Sequence, residues 1–181
     1  NSQIPEFLDL QNSVKILNTL KSTYKIKNGK KIYIQRKNCN FRNLINDFDL
    51  AEKLEKLGFL IVDLEQISIL DQIELFATSE VIVGATGSGL ANIVFCNEGV
   101  KIFEISPKYK KLYDDNFRDR YFNICKYLSL DYSRIEADPV DLDLNKIIDK
   151  KILNLINTNI LKESNYYKNL LINMKDFDKL F

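Results

Sequence analysis

The sequence predicts an α/β fold built on a doubly wound, mostly parallel sheet. Between residues 31 and 106, short apolar runs rich in Val and Ile alternate with segments of helical apolar spacing. Strands separated by helices pair in parallel, because each crossover returns the chain to the same end of the sheet. A glycine-rich loop at 84–89 joins one such strand to the next helix, and the 45% hydrophobic content is enough for one core.

The first half of the chain supplies two predicted strands and two predicted helices. Apolar residues at helical spacing in 11–24 predict an amphipathic helix, and "KIYIQ" at 31–35 predicts a short strand. Leucines on one face of 47–58 predict a second helix, which ends at Gly58. The apolar run "FLIVDLE" at 59–65 predicts a buried parallel strand.

The middle of the chain repeats this alternation around the glycine loop. "SILDQIELFATS" at 68–79 predicts a helix, and "EVIVG" at 80–84 predicts the strand that enters the loop. "GLANIVFC" at 89–96 is expected to be helical, and "VKIFEIS" at 100–106 is expected to be the next strand. The loop therefore lies between a strand and a helix.

The last third of the chain is predicted to be mostly helical. "RYFNICKYLSL" at 120–130 predicts a helix, and "DYSRIEA" at 131–137 predicts an edge strand. The segments 144–157 and 163–181 have apolar spacing that predicts two further helices.

Two residue types limit the possible chemistry. Histidine is absent, which excludes Ser-His-Asp triads, Cys-His dyads and His-based metal centres within this chain. Cys39, Cys96 and Cys125 are far apart and form no CxxC pair, so we expect idle thiols in a reducing compartment and neither a zinc site nor a disulfide framework. No metal ion is predicted.

Charge and hydropathy limit the partners. Lys and Arg number 26 against 25 Asp and Glu, so the formal charge of +1 gives no general attraction to nucleic acid. No apolar run is long enough to span a bilayer, and we expect a cytoplasmic protein that meets membranes only through partners. We expect residues 1–160 to form one α/β domain and 161–181 a C-terminal helical extension.

The glycine loop is the first candidate for a binding site. Gly84, Gly87 and Gly89 fall within six residues, where a strand meets the start of a helix. Glycines let an anion approach the backbone, and a helix start offers unpaired N–H groups. The spacing G-x-x-G-x-G fits neither the dinucleotide nor the P-loop pattern. On spacing alone, a tight turn that needs small residues is as good an explanation as a phosphate site.

Three cations follow the first predicted strand. Arg36 and Lys37 leave its end, at the same sheet edge as the glycine loop, and Arg42 lies a few residues further on. Arginine binds phosphate oxygens through two parallel N–H groups, which suits a diphosphate. The alternative, a solvated basic loop, is equally compatible with any one of these residues.

Three polar residues near the same edge are further candidates. Glu104 lies inside an apolar strand and needs a polar partner, either a sugar hydroxyl pair or a neighbouring cation. Glu65 follows the apolar run "FLIVDL" at 59–64 and could contact a base or ribose, or could cap a helix. Asn92 follows the loop and could donate to a phosphate or tie the loop to a neighbouring strand.

These motifs, in this order over residues 31–106, resemble glycosyltransferase family 61, which includes capsular polysaccharide biosynthesis proteins. The resemblance rests on "QRKNCNFRNLIN", "LEKLGF", "LEQISILDQ", "VGATGSGLAN" and "IFEI". Where the family pattern has Pro-His in the glycine loop, this chain has Ala85 and Thr86, and the family's Ala is Ser88.

The resemblance implies the C-terminal half of a GT-B glycosyltransferase, with a Rossmann-like sheet and a second domain ahead of Asn1. It implies that Arg36 holds the diphosphate of a nucleotide-sugar donor, that Gly87, Ser88 and Gly89 line it with backbone amides, and that Asn92 fixes the loop. It also implies that Glu104 faces the nucleotide or sugar.

The implied activity is glycosyl transfer from a nucleotide sugar to a glycan acceptor in polysaccharide or surface glycan biosynthesis, without an obligatory metal or other cofactor. No catalytic residue is singled out, because Thr86 stands at the family's histidine position. The alternative is a non-catalytic α/β scaffold or partner-binding domain that has lost transferase activity.

Overall fold

A computed structural model describes residues 29–37, 39, 41–110, 118–141 and 164–178, together with 16, 17, 19, 20, 23 and 24. Of the first predicted helix, residues 16, 17, 19 and 20 are helical, and the rest of 11–24 is mostly outside the described residues. The helix predicted at 144–157 also lies outside them.

Six strands form one sheet in the order β2-β1-β3-β4-β5-β6. The first five are mutually parallel, and β6 is antiparallel to β5. This confirms the prediction of an α/β fold with a mostly parallel sheet. The strands are β1 Lys30–Ile34, β2 Leu60–Val62, β3 Ser79–Ala85, β4 Lys101–Pro107, β5 Asp131–Val140 and β6 Asn169–Leu171.

Helical segments pack against both faces of the sheet. Besides the helical residues 16, 17, 19 and 20, the described part of the chain contains the α-helices α1 Asp47–Lys56, α2 Ile69–Ala77, α3 Arg120–Tyr127 and α4 Met174–Phe177, and the 3-10 helices Leu64–Gln66 and Ser88–Phe95. Ser68 caps α2 by accepting from the Asp71 N–H, as an N-cap serine does. The chain turns out of α1 at Gly58, whose φ of +82° favours glycine.

Two hydrophobic cores result from the alternation of side chains along the strands. Ile32 and Ile34 of β1 point into the first core, which also contains Phe76 of α2 and Ile93 of the second 3-10 helix. Tyr33, between them, points into the second core with residues of α1, β6 and α4. The sheet is therefore covered on both faces, and its strand ends are where a ligand has access.

The C-terminal segment differs from its prediction. Residues 163–181 were expected to be helical, but within the described residues 164–178 Asn169–Leu171 form a strand and only Met174–Phe177 are helical. Leu170 and Ile172 are buried in the second core, which explains their apolar spacing without a long helix. Because β6 pairs with β5, the latter is not the edge strand that its sequence predicted. The domain division at residue 160 stays a prediction.

The structure also bears on the predictions for the segment after the glycine loop, for the cysteines and for membrane-spanning helices. The segment after the glycine loop is helical as expected, but it is a 3-10 helix and not an α-helix. Cys96 and Cys125 are buried, and burial raises the pKa of Cys125 to about 12. Among the described residues, no helix is both long and apolar enough to cross a membrane.

Candidate functional site

The site lies where the connections of the sheet diverge. Strands β1 and β3 are neighbours, but β2 follows on the far side of β1 and β4 on the far side of β3. In open parallel sheets, ligands bind outside the carboxyl ends of the strands at such a switch point. Ile34 is in register with Gly84, so the residues after β1 emerge beside the residues after β3.

Arg36 contacts the glycine loop directly. Its Nη1 donates to the carbonyl oxygen of Thr86 at 3.0 Å, and a Cβ added at Gly87 would overlap the same guanidinium. Gly87 has an extended backbone that any residue can adopt, so glycine is required here for space and not for conformation. The Nε of Arg36 is buried and has no hydrogen-bond partner in the described structure.

A cavity of about 350 Å³ opens beside Arg36. Six of the predicted site residues line it, and they come from three different connections at this end of the sheet. They are Arg36, Lys37, Glu65, Ser88, Gly89 and Asn92. The structure therefore brings together the residues after β1, after β2 and after β3, as their positions at the strand ends predicted.

One wall of the cavity is held by an amide network. Asn92 donates from Nδ2 to Oε1 of Gln72 at 2.8 Å, and Gln72 donates to the carbonyls of Leu64 and Ile67. Asn92 thus attaches the 3-10 helix after the glycine loop to α2, whereas the sequence predicted an attachment to a neighbouring strand. Gly89 packs closely here, since a Cβ would lie 3.0 Å from Leu64 Cδ1.

Acidic side chains also line the cavity. Asp63 and Glu65 follow β2, and Asp63 accepts from the Glu65 N–H at 3.1 Å to cap the first 3-10 helix. Neither forms an ion pair with Arg36 or Lys37 in the described part of the chain. The cavity therefore offers cations for an anionic group and carboxylates for hydroxyl groups.

Gly84 lies apart from the cavity. It is a buried residue of β3, where a Cβ would come within 3.3 Å of Ile34, so its observed contacts are internal packing.

Glu104 is fully buried and does not line the cavity. It lies between Gly84 and Arg134 in register, and it accepts from the Tyr132 hydroxyl at 2.5 Å. Burial raises the pKa of Glu104, while Tyr132, Thr86 and the charge of Arg134 oppose the shift. Arg134 is therefore a neighbouring cation whose charge acts on Glu104, although its ion pair in the described structure is with Asp119.

Thr86 is the link between Arg36 and Glu104. It is 1% exposed, its carbonyl accepts from Arg36, and its side chain lies beside Glu104 and Tyr109. No donor at Oε1 of Glu104 meets hydrogen-bond geometry within the described residues, so this carboxyl group is only partly satisfied.

Arg42 is also outside the cavity lining. Its side chain is 8% exposed and lies over the rings of Phe41 and Tyr166, and its backbone φ is +59°. Burial lowers the pKa of Arg42, and the positive charge of Arg36 lowers it further. The two arginines are therefore near each other although only Arg36 reaches the cavity.

Several residues of the site were not identified from the sequence. The Tyr121 hydroxyl donates to the carbonyl of Gly87. Tyr132 and Arg134 surround Glu104, and Tyr166 stacks on Arg42. No local pattern marks these residues, because each reaches the site through contacts between segments that are distant in the chain.

The described residues contain no cluster of three or more side chains suited to hold a metal ion. In the comparisons with known proteins, the family model described as Glycosyltransferase 61 matches residues 6–103, more than half of the 181-residue chain. A comparison with curated proteins gave no match.

Proposed function

The chain belongs to glycosyltransferase family 61, and we propose that it is the donor-binding half of a GT-B enzyme that transfers a sugar from a nucleotide sugar in polysaccharide or surface glycan biosynthesis. In this proposal the parallel sheet is the Rossmann-like half of the enzyme. A second domain, N-terminal to this one, would hold the glycan acceptor.

One observation carries the proposal: Arg36 projects from the switch point of the sheet into a cavity beside the glycine loop. Its guanidinium is fixed by the Thr86 carbonyl, and its buried Nε has no partner. A fixed cation next to the start of a helical segment suits the diphosphate of a nucleotide sugar. Lys37 adds a second cation at the cavity wall.

The chemistry assigned to these groups is stabilisation of a leaving group. When the bond from the sugar to the diphosphate breaks, negative charge develops on the phosphate oxygen, and a positioned guanidinium stabilises it. The acceptor hydroxyl forms the new bond to the sugar and gives its proton to a base. Asp63 and Glu65 are the carboxylates that line the cavity, and the second domain is an equally suitable source of the base.

A non-catalytic scaffold is the second candidate, and Thr86 favours it. This residue stands where the resembling family has histidine, and its side chain lies in the buried cluster of Glu104 and Tyr109. It therefore supplies no group to the cavity that could replace an imidazole. Under this alternative the fold and the anion site persist without turnover.

One measurement tests anion binding, and a second, of turnover, separates the two candidates. Nucleoside diphosphates should raise the melting temperature of the chain, and Arg36→Met should remove that increase while Lys101→Met, an exposed charge on β4, should not. Hydrolysis or transfer of a nucleotide sugar by the protein together with its N-terminal domain would exclude the scaffold. Binding without turnover would favour the scaffold, and no binding of any nucleotide would contradict both donor binding and transfer.

A further inference from the structure

Arg42 is a buried cation that lies behind the candidate site without reaching it. Its guanidinium carbon is 4.7 Å from the centroid of the Phe41 ring and 4.3 Å from that of Tyr166. These rings come from distant parts of the chain. The C-terminal segment holds the arrangement, since Leu170 donates its N–H to the Asn43 carbonyl and Ile45 donates to the Leu170 carbonyl.

The positive charge of Arg42 has no counter-ion in the described structure. No carboxylate forms an ion pair with Arg42 or Arg36 there. Both Nε and Nη1 of Arg42 are buried without a hydrogen-bond partner, and so is Nε of Arg36. The aromatic rings and the Tyr166 hydroxyl compensate only part of this charge.

Two neighbouring cations without a carboxylate raise the free energy of the empty site. A buried charge is costly unless it is paired, and repulsion between like charges is weakly screened away from water. Arg42 lies next to the cavity wall, because the adjacent Asn43 donates from Nδ2 to the carbonyl of Cys39 at 2.6 Å and Cys39 lines the cavity. The positive charge of Arg36 also acts on Arg42. An anion bound at Arg36 would reduce the cost at both residues, although it would touch only one of them.

We infer that Arg42 is a positioning residue that acts on ligand binding through its charge. Its positive charge lies behind the glycine loop without a counter-ion among the described residues, and the anion that binds at Arg36 supplies that counter-charge. This inference rests on the proposed function, because it requires an anion in that cavity. The inference also predicts that ligands of different charge differ in how much affinity they gain from Arg42. A diphosphate carries more negative charge than a monophosphate, so it gains more from Arg42.

A purely structural role for Arg42 predicts the opposite effect on stability. If stacking between Phe41 and Tyr166 were its function, replacing it would lower the melting temperature and leave the anion affinity unchanged. If the stored charge is its function, an apolar replacement of similar length removes a cost from the empty protein. The melting temperature then stays the same or rises, while anion affinity falls.

The test uses Arg42→Met in the full chain, with Lys101→Met as a control that removes one exposed positive charge elsewhere. Ligands are nucleoside diphosphates, the matching monophosphates and inorganic pyrophosphate, and binding is measured by calorimetry. Arg42→Met should weaken diphosphate and pyrophosphate binding about tenfold and monophosphate binding less, without lowering the melting temperature. Arg42→Lys, which keeps the charge, should restore most of the affinity, and Lys101→Met should change neither quantity.

The following outcomes would contradict the inference, the proposed function or both. A lower melting temperature with unchanged affinity would overturn the inference and leave the proposed function intact. A loss of both stability and affinity that Arg42→Lys does not restore would also overturn it, since shape and not charge would then matter. If the unaltered chain binds pyrophosphate but no nucleotide, the nucleotide part of the proposed function fails and the Arg42 test still proceeds with pyrophosphate. If it binds none of these anions, both fail.

Discussion

The two sides of the glycine loop contain opposite charges in opposite environments. On the β1 side, Arg36 reaches an open cavity and has a buried N–H without a partner. On the β4 side, Glu104 is fully buried and is contacted by Tyr132. Thr86 belongs to both sides, with its carbonyl bonded to Arg36 and its side chain beside Glu104.

This difference teaches that charged residues at one sheet edge serve different purposes. Arg36 has access to a ligand, whereas Glu104 has protein partners already and no access to the cavity. Charge on the open side should govern binding, and charge on the closed side should govern stability. The predictions below test that division.

The largest effect is expected from Arg36→Met. Loss of the guanidinium should weaken nucleoside diphosphate binding about 100-fold, because a hydrogen bond to a charged group contributes about 1.5–3 kcal/mol. Calorimetric titration gives the two dissociation constants. Retention of affinity within twofold would show that the open side does not bind the anion through Arg36.

Gly87→Ala should have the next largest effect. Its Cβ would overlap the Arg36 guanidinium, while the extended backbone accepts alanine without strain. We therefore expect about tenfold weaker diphosphate binding with little change in melting temperature. In the double variant with Arg36→Met, the substitution should cost nothing further, and an additional loss there would point to a direct contact between the ligand and residue 87.

Glu104→Gln should change the pH dependence of stability. Since the pKa of Glu104 in the folded protein is above its ordinary value of 4.5, the folded state holds the proton longer than the unfolded state. Wild-type stability should therefore fall as pH rises through the interval between these two pKa values, by about 1.4 kcal/mol per unit of separation.

Urea unfolding at several pH values measures this effect. The stability of Glu104→Gln relative to wild type should increase with pH across the interval and then level off. Glu136→Gln, an exposed carboxylate on β5, should show no such trend. If the unfolding free energies of Glu104→Gln and wild type differ by the same amount at every pH, the folded protein does not raise the pKa of Glu104.

The smallest effect is expected from Asn92→Ala. This change removes the hydrogen bond to Gln72 that attaches the helical segment after the loop to α2. We expect a loss of about 1 kcal/mol in unfolding free energy, and a modest loss of diphosphate affinity. Unchanged stability together with a large loss of affinity would instead mean that Asn92 contacts the ligand.

Much of the fold was predictable from the sequence because the strands are short apolar runs separated by helices. The positions of Arg36, Lys37, Ser88 and Asn92 at one cavity followed from their places after strands β1 and β3. The strand β6 was not predictable, because Leu170 and Ile172 have a spacing that also suits a helix and their burial depends on long-range pairing. The burial of Glu104 and Arg42 depends on tertiary contacts in the same way.

The most direct test is a nuclear magnetic resonance titration of the isotope-labelled chain with the nucleoside diphosphate that binds best. If the open side of the glycine loop is the binding site, the largest amide shifts will fall at residues 35–37 and 86–92, with much smaller shifts at residues 132–136 of β5. Shifts concentrated at the Lys30 and Leu60 edge of the sheet, or no saturable shifts at all, would contradict the account.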